Sequence, residues 1–182
     1  MSHETTTAWL PQRVHHHAWV TADQQTTRVF YQDIVGLPLI ATWTETGRLM
    51  GEAEQAYCHT FYGLGDGSAL AFFQFADDVF ARRHAPPPPD CPFRHVALLV
   101  DEQTQRAIRQ RAEHAGVVSA VVDHGYCRSL YLTDPNGLRL EFTVDHPQLE
   151  TISIRRRETA HRDLQRWLHG DHTNNNDWRP SD

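Results

Sequence analysis

The sequence predicts an α+β fold built from two copies of a βαβββ module, on three observations. A strand-like run that ends at an acidic residue and feeds a helix stopped by glycine occurs twice, at 14–36 and again at 93–116. Three more strand-like runs follow each copy, the last two joined by a tight turn: GLGDG at 63–67 in the first, TDPNG at 133–137 in the second. Between the copies stands APPPPD at 85–90, whose prolines can neither continue a helix nor donate to a sheet, so the segment reads as a stiff extended linker.

Taken in order, residues 14–22 read as a strand, and Asp23 is placed to cap a helix carrying Val29, Phe30 and Ile34 before Gly36 stops it. Residues 37–44, 56–62 and 68–75 are the three strands that complete the first module. The order restarts with a strand at 93–100, a helix at 102–115 ending at Gly116, and strands at 117–122, 129–133 and 138–144. An internal repeat is the simplest account, with modules at about 13–76 and 92–146 in one domain over 1–147. Beyond Pro147 a helix is expected over 155–168, with RRR at its solvated start and Ile154, Leu164, Trp167 and Leu168 as a partial apolar stripe. The closing GDHTNNNDWRPSD has the composition of a disordered tail.

The 40% apolar content is enough for one real core. No apolar run reaches the roughly 18 residues of a membrane span, and MSHETTTAWLPQR lacks a signal-peptide core, so the expectation is a soluble cytoplasmic protein without a membrane partner. A net charge of -6, with RRR the only basic cluster, argues against a nucleic-acid partner. Cys58, Cys91 and Cys127 are odd in number and lack CxxC spacing, which predicts reduced thiols rather than disulfides or a zinc ribbon.

Side chains alternate along a strand, so His16 shares a face with Ala18 and Val20, and His95 with Ala97 and Leu99, while His15 and His17 fall opposite His16. In the last strand Arg139, Glu141 and Thr143 take one face and Leu138, Leu140, Phe142 and Val144 the other. Ser129, Tyr131 and Thr133 share a face on the preceding strand, which puts Tyr131 beside Glu141. Two neutral imidazoles and a carboxylate would bind one side of a metal and leave the rest open, a set that suits non-haem Fe(II). Aligning the two hairpin turns places Ala71 where the second module has Glu141. Ala71 cannot ligate, so the site keeps three protein ligands and an open side.

Blander readings stand beside each residue. His95 can be an ordinary core or surface histidine, and Glu141 can pair with Arg139 or Arg94. Tyr131 can bond locally, His124 can belong to an ordinary turn, and His59 can be structural or line the pocket. Phe72, Phe73, Phe75 and Trp43 read as core; Arg94 or Arg128 can meet an anionic substrate or simply face water.

At these residues the sequence resembles the vicinal oxygen chelate superfamily, which holds glyoxalases, bleomycin-resistance proteins, fosfomycin-modifying enzymes and type I extradiol dioxygenases. The resemblance runs over about 14–145 and is carried by HHHAWVTAD with RVFYQDIVGLPL, GDGSALAFFQF, FRHVALLVDE and DHGYCRSLYLTDPNGLRLEF. It implies two βαβββ modules forming an incomplete barrel around a divalent metal, often in a homodimer. Extradiol dioxygenases look closest within it. They use two histidines and a glutamate where this chain has His16, His95 and Glu141, a tyrosine at the position of Tyr131, and a helper histidine for which His124 is the candidate. The resemblance therefore implies Fe(II), with Mn(II) or another divalent metal as the alternative, and cleavage of a catechol-like substrate with O2. Tyr131 would hydrogen-bond a substrate oxygen, and His124 would act as acid or base, the ordinary imidazole pKa of about 6.5 being suited to that. The chain departs from the larger two-domain extradiol enzymes in having only one pair of modules. Alternatives are a lyase, isomerase or thiol transferase of the same superfamily using Mn, Ni or Zn, and a metal-free drug-binding protein, which would need no ligand triad.

Overall fold

A computed structural model describes residues 11–48, 51, 54–85 and 93–180. The chain divides into two compact units, one reaching Pro88 and including the turn Pro135–Gly137, the other made of Pro89–Asp134 and the chain from Leu138 onward. The proline run at 86–89 and Cys91 lie outside the described residues.

The first unit contains β1 (His16–Val20), α1 (Gln24–Arg28), β2 (Leu39–Arg48), β3 (Glu54–Gly63), β4 (Ala69–Phe75) and α2 (Asp78–His84). Its sheet runs β1-β4-β3-β2, with β1 parallel to β4 and the other pairs antiparallel. Asp23 caps α1 as expected, its carboxylate accepting from the Gln25 amide at 2.9 Å. The helix then widens: Val29–Val35 is a π-helical turn, closed by Gly36 at φ 94°, whose amide reaches back to the Tyr31 carbonyl. The wider turn brings Phe30, Tyr31 and Val35 into the core together, with the Tyr31 ring 4.7 Å from Phe72 and 5.2 Å from Tyr62. Helix α2 was not expected from the sequence. Its signals are local: Asp77 accepts from the amides of Val79 and Phe80, and Arg82, Arg83 and His84 occupy the last turn.

The second unit repeats the topology with β5 (Val96–Leu99), α3 (Glu102–His114), β6 (Ser119–Asp123), β7 (Cys127–Thr133) and β8 (Arg139–Asp145) in the order β5-β8-β7-β6, followed by α4 (Leu149–Leu168). The α+β fold of two βαβββ modules is therefore the observed one. Ile108 and Ala112 of α3 are buried, as are Leu130, Leu132, Leu140 and Phe142 on one face of β7 and β8. Helix α4 starts six residues before the expected boundary, because Ile152 is buried and anchors its first turns. The anticipated stripe of Ile154, Leu164, Trp167 and Leu168 stays exposed, and RRR lies inside the helix rather than at its start. No described helix is long and apolar enough to cross a membrane.

Strand register makes the repeat concrete. Ala18 of β1 pairs with Ala71 of β4, and Ala97 of β5 with Glu141 of β8. Phe61 faces Ala71 as Tyr131 faces Glu141, which places Ala71 at the repeat position of Glu141. Each unit also staples its first helix to its sheet with a glutamine. The Gln24 amide donates to the carbonyls of Phe72 at 2.9 Å and Cys58 at 3.4 Å. Gln105 donates to those of Phe142 at 2.7 Å and Arg128 at 2.9 Å. The acceptors occupy equivalent positions in the two sheets.

Candidate functional site

The second unit gathers four of the five candidate residues. The β7/β8 register sets Tyr131 directly opposite Glu141, and alternation turns both away from the leucine face. Glu141 is nonetheless only 6% exposed, so its carboxylate needs partners. It has them: His95 Nε2 stands 2.7 Å from Glu141 Oε2, and the hydroxyls of Ser129, Tyr131 and Thr143 lie near enough to favour its charged form. Burial alone would push the Glu141 carboxyl up. The hydrogen bonds from Ser129 and Tyr131 and the charge of His95 outweigh it and hold the group below its ordinary value. The pairing expected as the bland reading, with Arg139 or Arg94, is thus taken by His95; Arg139 lies over the Tyr131 ring, 4.8 Å from its centroid.

His95 sits just before β5, and its Nδ1 is 3.0 Å from the Phe93 carbonyl. Both ring nitrogens therefore aim at acceptors. A proton is therefore shared along the Nε2–Oε2 line, or both atoms face one cation to the side. Two ligands about 2.1 Å from one ion at right angles are roughly 3 Å apart, so this pair fits two corners of a divalent metal. Among the described residues no three His, Cys, Asp or Glu side chains gather into a metal-binding group.

Tyr131 carries a second bond, its hydroxyl 2.9 Å from His124 Nε2. Which of the two gives the proton in this bond depends on the imidazole tautomer. Burial and the adjacent Glu141 push the Tyr131 hydroxyl up to about 12, so it remains a donor across the physiological range. Ser129 and Arg139 are contributors that sequence reasoning did not single out as site residues. Their only sequence signal is that alternation puts them on the face of Tyr131 and Glu141.

His16 belongs to the first unit, on an exposed strand position beside His59 and Phe61, whose ring centroids are 6.1 Å and 5.5 Å away. His15 does not lie opposite, as alternation predicted, but meets His16 Nδ1 to Nδ1 at 2.8 Å. The reason is that β1 begins at His16, so His15 is not on the strand. His17 is half-buried and stacks on Trp19. His59 stacks on Phe73 at 3.6 Å, and burial, with His16 nearby, lowers its pKa. Phe72 is core as expected, but Trp43, on edge strand β2, is 56% exposed. Arg128 reaches Glu102 of α3 at 3.5 Å, away from the Tyr131 face. Cys58 and Cys127 are free thiols.

The model of the glyoxalase/bleomycin resistance protein/dioxygenase superfamily matches residues 13–142. The chain belongs to this superfamily. A curated relative, the glutathione transferase FosA of Serratia marcescens, is 27% identical over 133 residues, 73% of this chain and 81% of that protein. A glyoxalase/dioxygenase from Nostoc punctiforme superposes with a TM-score of 0.53 at 23% identity, covering 74% of this chain and 92% of its own. The fosfomycin resistance protein FosX from Listeria monocytogenes gives 0.54 at 15%, covering 77% and 98%. The structural likenesses carry the fold alone. The superfamily resemblance read from the sequence holds, and the curated relative is a glutathione transferase rather than an extradiol dioxygenase.

Proposed function

We propose that this superfamily member is a metal-dependent enzyme that transfers a thiol to a small electrophile. The observation that carries it is the His95–Glu141 pair backed by Tyr131 and His124, in a chain related along 73% of its length to a glutathione transferase. His95 and Glu141 would hold the ion, with Mn(II) or Fe(II) the first candidates, and His16 is the third ligand that the family resemblance implies. A bound ion would supply a Lewis acid for the substrate oxygen.

In such a transfer the thiolate sulfur bonds to an electrophilic carbon while a carbon–oxygen bond breaks, and the departing oxygen needs a proton. Tyr131 is placed to give it, since its hydroxyl stays protonated at neutral pH and His124 stands behind it to restore the proton. Arg139, over the Tyr131 ring, would meet an anionic group of the substrate. The cytoplasmic homodimer anticipated from the sequence is part of this proposal.

A second reading, an extradiol dioxygenase cleaving a catechol with O2, is favoured by the His124–Tyr131 hydrogen bond, the helper pair expected for that chemistry. One experiment separates the two. Metal-free protein is loaded in parallel with Mn(II), Fe(II), Zn(II) or Ni(II), then assayed anaerobically for glutathione consumption with fosfomycin and aerobically for oxygen uptake on catechols. Thiol consumption that disappears in His16→Ala, His95→Ala and Glu141→Ala supports the transferase. Oxygen uptake without thiol consumption supports the dioxygenase. If wild type binds no divalent metal and the three variants behave like it, both readings fall.

A further inference from the structure

The family match ends at residue 142, so α4 and the segment after it lie beyond the shared fold. That segment, whose composition reads as disordered, returns to the turn that carries His124. The Asn176 amide donates to the His124 carbonyl at 2.9 Å. Next to it Gly125 takes φ +82°, and a Cβ there would stand 2.2 Å from the Trp178 carbonyl carbon. Only glycine permits both the backbone conformation and the approach. The segment is in turn fixed to α4: Arg155 pairs with Asp177 at 2.8 Å, Arg156 donates to the Asn175 carbonyl, and the two guanidiniums lie 5.2 Å and 5.1 Å from the Trp178 ring centroid. Asn175 also donates to Asp163 at 3.1 Å.

We propose that α4 and residues 175–179 are a positioning clamp for His124, holding the 124–126 turn so that the imidazole meets the Tyr131 hydroxyl. The turn is anchored on its inner side by the His124 amide on the Cys127 carbonyl and by the Gly125 amide on the Asp123 carboxylate. Its outer side is covered by Asn176 and Trp178. Asn176 and Trp178 touch no reacting group and act only through the turn. The clamp explains why RRR belongs inside a helix: Arg155 and Arg156 are the residues that seize the returning chain. It matters for activity only through the acid–base role proposed for His124, and so rests on that reading.

The test uses the full chain, a version ending at Gly170, and Asn176→Ala, each with isotope-labelled histidine. The His124 ring signals are assigned by their loss in His124→Gln. The clamp predicts that truncation and Asn176→Ala both shift the His124 Nε2 signal away from its hydrogen-bonded position. It also predicts that glutathione turnover with fosfomycin falls about tenfold or more, because a small displacement of a proton donor costs that much, with Mn(II) affinity within twofold of wild type. An unchanged His124 signal in both variants overturns the clamp. If truncation unfolds the second unit, Asn176→Ala alone decides it by the same signal. If His124→Gln keeps full turnover while the clamp variants still shift the signal, the clamp stands and the proposed role of His124 falls.

Discussion

Replacing Gln105 by leucine should destabilise the second unit strongly although the site itself is untouched. Gln105 is 5% exposed, and its amide supplies hydrogen bonds of 2.7 Å and 2.9 Å to two main-chain carbonyls on neighbouring strands. Leucine of similar volume keeps the packing but leaves each carbonyl short of a donor, at about 1–3 kcal/mol apiece. The apolar side chain returns about 1 kcal/mol through burial. The expected net loss is about 1–5 kcal/mol, read as a lower urea midpoint at unchanged slope in metal-free protein. Gln24→Leu should do the same in the first unit, and additionally strands Thr60, whose hydroxyl donates to Gln24 at 2.8 Å. A loss below about 0.5 kcal/mol for Gln105→Leu, the range of an indifferent surface change, would refute the stapling argument.

Tyr131 should titrate late: ultraviolet phenolate absorbance of wild type should contain a component near pH 12 that is missing in Tyr131→Phe. A raised pKa contributes stability that is intact below the ordinary tyrosine value of about 10 and is lost as pH rises through the folded value; a component appearing near 10 instead would remove Tyr131 as a shielded donor. Ser129→Ala should act at the other end of the scale. The Glu141 carboxyl is held low by Ser129 and Tyr131 and by His95, so its contribution is present above the ordinary value of about 4.3 and disappears as pH falls through the lower folded value. Removing the Ser129 hydroxyl should move that acid loss upward in pH. An unchanged acid limb in urea midpoints measured from pH 2 to 6 would show that Ser129 does not stabilise the charged form.

Much of the fold was legible because its punctuation is local. Asp23 and Asp101 cap helices, Gly36 and Gly116 end them, and GLGDG and TDPNG close hairpins, each a signal within a few residues. What escaped depends on distant partners. The π-helical turn at Val29–Val35 and the burial of Ile152 follow from packing, and the seven-residue α2 is too short for a periodic pattern. Trp43 read as core because hydrophobicity alone does not reveal that β2 is an edge strand. The tail read as disordered because polar composition says nothing about two arginines waiting on a helix. At the site, strand alternation was enough to set Tyr131 against Glu141. It could not say that His15 precedes the strand, or that a glutamine one residue after Asp23 and another four residues after Asp101 would reach equivalent carbonyls.

The two halves share a register but not a chemistry, and the difference lies along one face. Where the second sheet has Glu141, Tyr131, Ser129 and Thr143, the first has Ala71, Phe61, His59 and Phe73 at the equivalent pairs. Of the groups that support the carboxylate in the second half, Tyr131 and Thr143 are replaced in the first by the rings of Phe61 and Phe73 and Ser129 by His59, whose imidazole stacks on Phe73, while His95 keeps a counterpart in His16. A buried carboxylate at residue 71 would therefore have had no tyrosine or serine to hold it ionised. Ala71 is thus part of a concerted difference between the halves rather than a single changed side chain. Ala71→Glu should give a carboxyl with a raised pKa and weakened folding. Converting Phe61 to tyrosine and His59 to serine in the same chain should recover part of that loss.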